Sequence, residues 1–257
     1  MPSFKHKTIL ITGGTGSMGQ TLVRRILSGK LGTPRKIIVL SRDEAKQHEM
    51  RMTYLHKLVA TDEVVYRNFM NVLEFRIGDV RDYASVCSAV KNADIVINAA
   101  ALKQVPTCEY FPAQAVLTNC IGASNIVRAI EENDYPVETV IGVSTDKACK
   151  PVNVMGMTKS LQERIFTSAN ILNPKTRFVC VRYGNVIASR GSVVPLFLEQ
   201  IRRVGPGHVR EACDGHRPRD DTFPSEPGAG GRHGLRGVAF RQARGDIRSE
   251  RPFRDRV

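Results

Sequence analysis

Thr12-Gly13-Gly14-Thr15-Gly16-Ser17-Met18-Gly19 is the stretch on which the fold turns. The apolar run Lys7–Thr12 leads into it and reads as a strand. Behind it, Met18, Leu22, Val23, Ile26 and Leu27 recur at helical spacing until Gly29 stops the helix near Ser28. Gly13, Gly16 and Gly19 therefore stand as G-x-x-G-x-x-G between a strand and a helix. Residues without Cβ let backbone approach a pyrophosphate closely, and the helix start offers N–H groups and a positive dipole end. A glycine triplet alone is weak evidence, but in this position it predicts a dinucleotide site. Gly13, Thr15, Gly16, Ser17, Met18 and Gly19 are the loop residues expected at the cofactor.

Outward from the loop, strand and helix patterns alternate. Strands are expected at Lys36–Leu40, Leu73–Ile77, Ile95–Asn98, Val137–Val143 and Thr176–Val181. Helices are expected at Asp43–Ala60 (with Asp43 as N-cap), Tyr83–Val90, Pro112–Glu132 and Val154–Ala169. That order predicts an α/β fold: a doubly wound parallel sheet of the Rossmann type, covered on both faces.

The strand ends then supply a cofactor wall. Strand two ends Leu40-Ser41-Arg42, where NAD enzymes commonly carry an acid for the ribose 2′-hydroxyl. Arg42 suits a 2′-phosphate instead, so NADP is favoured over NAD, while Asp43 keeps NAD open. Asp79-Val80 lies where the adenine edge would fall, and the small Ala99, Ala100 and Ala101 would let cofactor lie flat.

Composition narrows the class. The 257 residues carry a formal net charge of +13, which suits an acidic ligand such as a nucleotide-sugar. Nucleic acid is not expected, because the basic residues are dispersed. Cys87, Cys108, Cys120, Cys149, Cys180 and Cys213 have no zinc or Cys-x-x-Cys spacing, so no metal site is expected. Free thiols in mostly apolar contexts point to buried cysteines and a cytoplasmic location. No signal peptide precedes the first strand, and no apolar run reaches the roughly 20 residues of a membrane span.

Beyond these patterns, several segments carry a resemblance. They are Ala99–Pro106, Glu109-Tyr110, Thr118-Asn119, Ser144–Ala148, Val152–Lys159, Arg182–Val186 and Ser189–Pro195. Together they resemble the UDP-N-acetylglucosamine 4,6-dehydratases of polysaccharide biosynthesis, a branch of the extended short-chain dehydrogenase/reductases, over Lys7 to about Arg203. The resemblance implies a lyase that oxidises the sugar at C4, eliminates water across C5 and C6, and returns the hydride to C6. It implies Asp146 as acid and Lys147 as base, with Ser144 or Thr145 on the substrate O4. It implies Lys159 on the nicotinamide ribose, and Lys103, Asn185 and Arg190 on the UDP-sugar. It also implies a homo-oligomer for the full-length form. Met155 occupies the tyrosine position of the superfamily's Tyr-x-x-x-Lys, where a thioether cannot handle a proton. A non-catalytic NADP-binding module, or an epimerase or reductase of the same superfamily, is the alternative.

Adjacent strand residues point opposite ways, so Asp146 and Lys147 can share a site only if the backbone leaves strand geometry there. Desolvation would then have to raise the carboxyl pKa and lower the ammonium pKa.

The pattern fails after Gly205. Pro206–Val257 holds eleven Arg and no Lys, and no hydrophobic period survives. Read one nucleotide forward with GC-rich codons, residues 220–237 can regain helical periodicity. The expectation is a domain over 1–205 and a disordered or frame-shifted tail over 206–257, with the family's substrate lobe lost. Such a chain would bind cofactor and turn over sugar weakly or not at all.

Overall fold

The computed structural model describes residues 4–56 and 63–184. Six strands form one parallel sheet: β1 (Thr8–Thr12), β2 (Lys36–Ser41), β3 (Leu73–Ile77), β4 (Ile95–Asn98), β5 (Thr139–Thr145) and β6 (Arg177–Tyr183). Their spatial order is β3-β2-β1-β4-β5-β6, the expected doubly wound Rossmann arrangement. The chain steps outward from β1 to β3 and returns to β4 on the other side of β1, so the crevice for a ligand opens beyond the carboxyl ends of β1 and β4. Ile11 pairs with Val39 and Ile97, and Thr12 with Leu40 and Asn98, which brings three strand ends level at that crevice.

The apolar run of β1 does not alternate because both of its faces are covered: all five residues are buried. Leu10 faces a core with Val96, Ile126, Phe166 and Phe178. Ile9 and Ile11 face a second core with Val23, Ile26, Val39 and Phe69. Each such side chain contributes roughly 1.5–3 kcal/mol of transfer free energy.

The helices are α1 (Ser17–Leu27), α2 (Glu44–Leu55), α3 (Glu63–Val72), α4 (Tyr83–Val90), α5 (Val105–Tyr110), α6 (Pro112–Val116), α7 (Gly122–Asn133) and α8 (Val154–Leu172). Several differ from the sequence reading, and α5 was not expected at all. The expected helix to Ala60 stops at Leu55, and α3 was not expected. Tyr54 of α2 stacks on Phe69 of α3 at 5.1 Å, and Val65 is buried one turn before it. Adjacent β-branched and aromatic residues mask this helix, because their own preference is for strands. The expected helix Pro112–Glu132 is instead α6, a π-helical turn at Leu117–Ile121, and α7. The strand expected at Val137–Val143 begins and ends two residues later, so it includes Ser144 and Thr145. The expected tail at 206–257 lies outside the described residues, as do Asn185, Arg190 and Cys213. Among the described residues, no helix is long and apolar enough to cross a membrane.

Candidate active site

The glycine loop divides into two jobs. Gly13 sits at φ +66°, and a Cβ there would meet the Ala100 backbone at 2.7 Å and the Ala99 carbonyl carbon at 2.9 Å. A Cβ on Gly19 would meet the Gly14 backbone at 2.5 Å. Both glycines are thus required by the protein's own packing. Gly16 is different: a Cβ there would meet only the Gly13 carbonyl oxygen, at 3.3 Å. Gly16, Ser17 and Met18 are exposed, and Gly16 caps α1 with no side-chain hydrogen bond and no acid in the first turn. An uncompensated helix start beside bare backbone fits a pyrophosphate.

Hydrogen bonds hold this surface in place. The Thr12 hydroxyl donates to Asn98 Oδ1 at 2.6 Å and accepts from the Ala100 N–H at 3.3 Å, which locks the end of β1 to that of β4. The Thr15 and Ser41 hydroxyls meet at 3.0 Å and are buried, so they brace the loop rather than face a ligand. Gln47 was not anticipated. Its buried amide donates to the Ser41 and Arg76 carbonyls, binding the ends of β2 and β3.

At the end of β2, Arg42 is exposed and stands 3.6 Å from Asp79. Asp43 caps α2 by accepting from the Lys46 N–H at 3.0 Å, and its other oxygen pairs with the Lys46 ammonium. Burial pushes the Asp79 carboxyl up, but hydrogen bonds from Arg81 outweigh it and hold the group below its ordinary range. Val80 is a core residue: its side chain packs on Gly122, and its carbonyl accepts from Asn125 at 2.9 Å. Ala99, Ala100 and Ala101 are half-buried at the mouth of β4, and Lys103 is exposed beyond them.

The second group gathers at the end of β5. The strand stops at Thr145, and Asp146–Ala148 forms a 3₁₀ turn. This is the break from strand geometry that the Asp-Lys pair needs. The Thr145 hydroxyl donates to Asp146 Oδ1 at 2.9 Å, and the Lys147 ammonium lies 3.2 Å from the same oxygen. Those two hydrogen bonds, Thr145 first, hold the Asp146 carboxyl below its ordinary value. The expected desolvated, raised carboxyl is therefore not found: Asp146 is exposed and ionised.

Ser144 needs a second correction. It is buried, and its hydroxyl donates to Glu163 Oε1 at 2.5 Å, so it faces α8 rather than the crevice. Glu163 also takes a bidentate pair from Arg182 at 2.8 and 2.7 Å, tying β5, β6 and α8 together.

Met155 and Lys159 are both buried on α8. Met155 packs with Cys108, Ala115, Leu102 and Val105, so its sulfur is in a hydrophobic cluster. The Lys159 ammonium donates to Gln162 at 2.7 Å, and burial lowers its pKa to about 8.

The π turn supplies a residue whose role sequence reasoning missed. Asn119 accepts from the Leu102 N–H at 2.9 Å and donates to the Leu102 carbonyl and the Thr158 hydroxyl, each at 3.0 Å. One buried amide thus clamps the β4 loop to α8, and π turns often mark such places. No signal could locate these partners, which are 17 and 39 residues away.

Among the described residues, no three His, Cys, Asp or Glu side chains gather as a metal site. Cys108 and Cys120 are buried free thiols, Cys87 and Cys180 are half-buried, and Cys149 is exposed.

Residues 9–212 match the family described as polysaccharide biosynthesis protein. A curated relative named UDP-glucose 4-epimerase, from Rickettsia typhi, is 45% identical over 203 residues, covering 78% of this chain and 55% of its own. The counterpart in Rickettsia bellii is also 45% identical, over the same shares. The chain spans about half the length of the curated relatives it matches. Among solved structures, Pen from Bacillus thuringiensis is 38% identical with a TM-score of 0.69, over 79% of this chain and 60% of its own. The dTDP-glucose 4,6-dehydratase DesIV from Streptomyces venezuelae, solved with NAD and TYD, shares the fold at 18% identity and a TM-score of 0.60, over 76% of this chain and 62% of its own. With its glycine loop and strand order in agreement, the chain belongs to the polysaccharide biosynthesis protein family.

Proposed function

We propose that residues 1–205 form the cofactor-binding domain of a UDP-N-acetylglucosamine 4,6-dehydratase. The observation that carries this reading is the Asp146–Lys147 contact on a turn at the carboxyl edge of β5. A nicotinamide dinucleotide fits the bare backbone at Gly16 and the open start of α1. Ser17 and Met18 would meet its pyrophosphate, and Ala99, Ala100 and Ala101 its nicotinamide half. Lys159 would hold the nicotinamide ribose in exchange for Gln162. Arg42 supports NADP over NAD, because Asp43 is committed to capping α2. When bound, the cofactor would supply reversible hydride transfer, taking the hydride from C4 of the sugar and giving it back at C6.

The chain's own residues would supply the proton transfers. An exposed Asp-Lys pair is ionic. Covering it with a sugar removes water, and an ion pair pays heavily for lost solvation. Moving one proton from Lys147 Nζ to Asp146 Oδ1 across the 3.2 Å contact leaves both groups neutral. The neutral amine then removes the C5 proton, which the C4 ketone has acidified. The neutral acid gives its proton to the departing C6 hydroxyl, which leaves as water. The C4 hydroxyl proton released on oxidation goes to solvent; the Lys147 ammonium returns a proton to C5 as the hydride reaches C6 and then takes one from solvent, so the pair ends ionised as it began. The acid and base roles, inverted for free side chains, follow from this one transfer. Thr145 would orient Asp146, and Lys103, Asn185 and Arg190 would contact the nucleotide-sugar.

The name of the Rickettsia relatives favours a second reading, epimerisation at C4. There, the same pair would shuttle the C4 hydroxyl proton. In a length-restored protein, incubation with UDP-N-acetylglucosamine and NADP in deuterated water separates the two. A dehydratase gives a product that has lost one water and carries deuterium at C5. An epimerase gives a product of unchanged mass. Lys147→Ala should abolish deuterium entry at C5 while NADPH remains bound; exchange at the parent's rate would remove Lys147 as the base.

A further inference from the structure

The end of β3 carries a charge arrangement that the proton transfers do not use. Asp79 Oδ2 accepts Nη2 of Arg81 at 2.6 Å and Nε at 2.9 Å, and Oδ1 accepts the Arg81 backbone N–H at 3.0 Å. The remaining Arg81 nitrogen, Nη1, donates to Gln114 Oε1 of α6 at 2.9 Å. Arg81 is thus fixed from both sides. Arg42 Nη1 stands 3.6 Å from Asp79 Oδ2, too far for a hydrogen bond. Two guanidinium groups therefore share one carboxylate, and Arg81 holds nearly all of its bonding capacity. The side chain of Arg42 is 58% exposed against 32% for Arg81, so the surplus positive charge sits on Arg42.

We propose that Arg81 sets the choice between NADP and NAD, by neutralising Asp79 and so leaving Arg42 available to a ribose 2′-phosphate. This rests on reading Arg42 as the residue that meets the adenosine ribose. Without Arg81, Asp79 would take Arg42 into a bidentate pair, the strongest arrangement open to both groups. The local charge would fall from one surplus positive to none, and an incoming 2′-phosphate would have to compete with the Asp79 carboxylate for Arg42. NADH, with a 2′-hydroxyl, would lose little. Arg81 touches no part of the cofactor in this scheme. It is a positioning residue.

The test is the ratio of NADPH to NADH affinity, measured by calorimetry on the parent chain and on Arg81→Met. The variant should lose preference for NADPH by at least about tenfold, the scale of one charge-assisted hydrogen bond, with NADH affinity nearly unchanged. Arg81→Lys should fall between. Adding Asp79→Asn to Arg81→Met should restore most of the lost preference, because no carboxylate then competes for Arg42. A purely structural Arg81 would weaken both nucleotides together and show no rescue by Asp79→Asn; either result overturns the proposal. If Arg81→Met does not fold, Arg81→Gln removes the charge while keeping a donor for Gln114, and the same ratio decides. The parent's own ratio tests the reading of Arg42 separately. A parent that prefers NADH removes that reading and the proposal with it, whereas a parent that prefers NADPH with a ratio unchanged in Arg81→Met overturns the role of Arg81 alone.

Discussion

Substitutions at Gly13 and Gly16 separate what the loop does for the fold from what it does for the cofactor. Gly13→Ala forces a left-handed backbone on an L residue, which costs about 1–2 kcal/mol. Its Cβ would also stand 2.7 Å from the Ala100 backbone, which cannot move aside without disturbing the β1–β4 pairing. Overpacking of that kind adds roughly 1–3 kcal/mol, for a total of about 2–5 kcal/mol. At about 2–4 °C per kcal/mol for a domain of this size, Tm should fall by on the order of 10 °C. Gly16 has φ −75° and ψ 166°, an ordinary extended conformation, and an added Cβ would press only on the Gly13 carbonyl oxygen, at 3.3 Å. Gly16→Val should therefore cost only about 1 kcal/mol, chiefly from a poorer N-cap. Yet its side chain would occupy the place of the pyrophosphate, and NADPH affinity should fall beyond detection by calorimetry. Thermal unfolding and calorimetry on both variants make the comparison. Unchanged NADPH affinity in a folded Gly16→Val variant would refute the assignment of this loop to the cofactor.

Three further outcomes are expected. Lys159 titrates near 8 in the folded chain against 10.5 when exposed, so above pH 8 the unfolded chain binds more protons and stability should rise with pH. The raised thiols of Cys108, Cys120 and Cys180 lower stability as pH approaches 9 in both chains, so the test is the difference: from about pH 8 upward, denaturant unfolding should show the parent gaining stability relative to Lys159→Met, and parallel profiles would refute the shift. Met155→Tyr should lose roughly 1–3 kcal/mol by urea unfolding, because the larger ring must enter the cluster with Cys108 and Ala115; a stable variant would mean that the site has room for the superfamily's tyrosine. Glu163→Gln should cost about 1–3 kcal/mol, since Arg182 and Ser144 lose a charged acceptor, and an unchanged midpoint would show that the network adds nothing.

The parts of the fold legible in the sequence are those whose cause is local. The span Leu73–Ile77 and Tyr83–Val90 could be read directly, because apolar period and flanking turn residues agree there. The end of β5 could not, since only pairing with β6 carries Ser144 and Thr145 into the strand. Helix α3 was hidden because Val64, Val65, Tyr66 and Phe69 favour strands in isolation, and only folding stacks Phe69 on Tyr54 and buries Val65 in the same core. Within the candidate site, the glycine spacing and the Asp146-Lys147 adjacency are visible in the chain. The commitments of Ser144 to Glu163, of Gln47 to two carbonyls and of Asn119 to Leu102 and Thr158 are not, because each joins elements that meet only after folding.

The Asn119 clamp has a consequence for how the molecule breathes. Its single amide holds Leu102, on the loop after β4, and Thr158, one residue before Lys159. Local opening of any of the three segments would strand a buried donor or acceptor on the others, at a cost of about 1–3 kcal/mol. The β4 loop, the π turn and the first turns of α8 should therefore open to solvent as one cooperative unit. Their slowest amide protons would then exchange at one shared free energy, and the loop after β4 and the helix carrying Lys159 would stay in register for as long as that unit is closed.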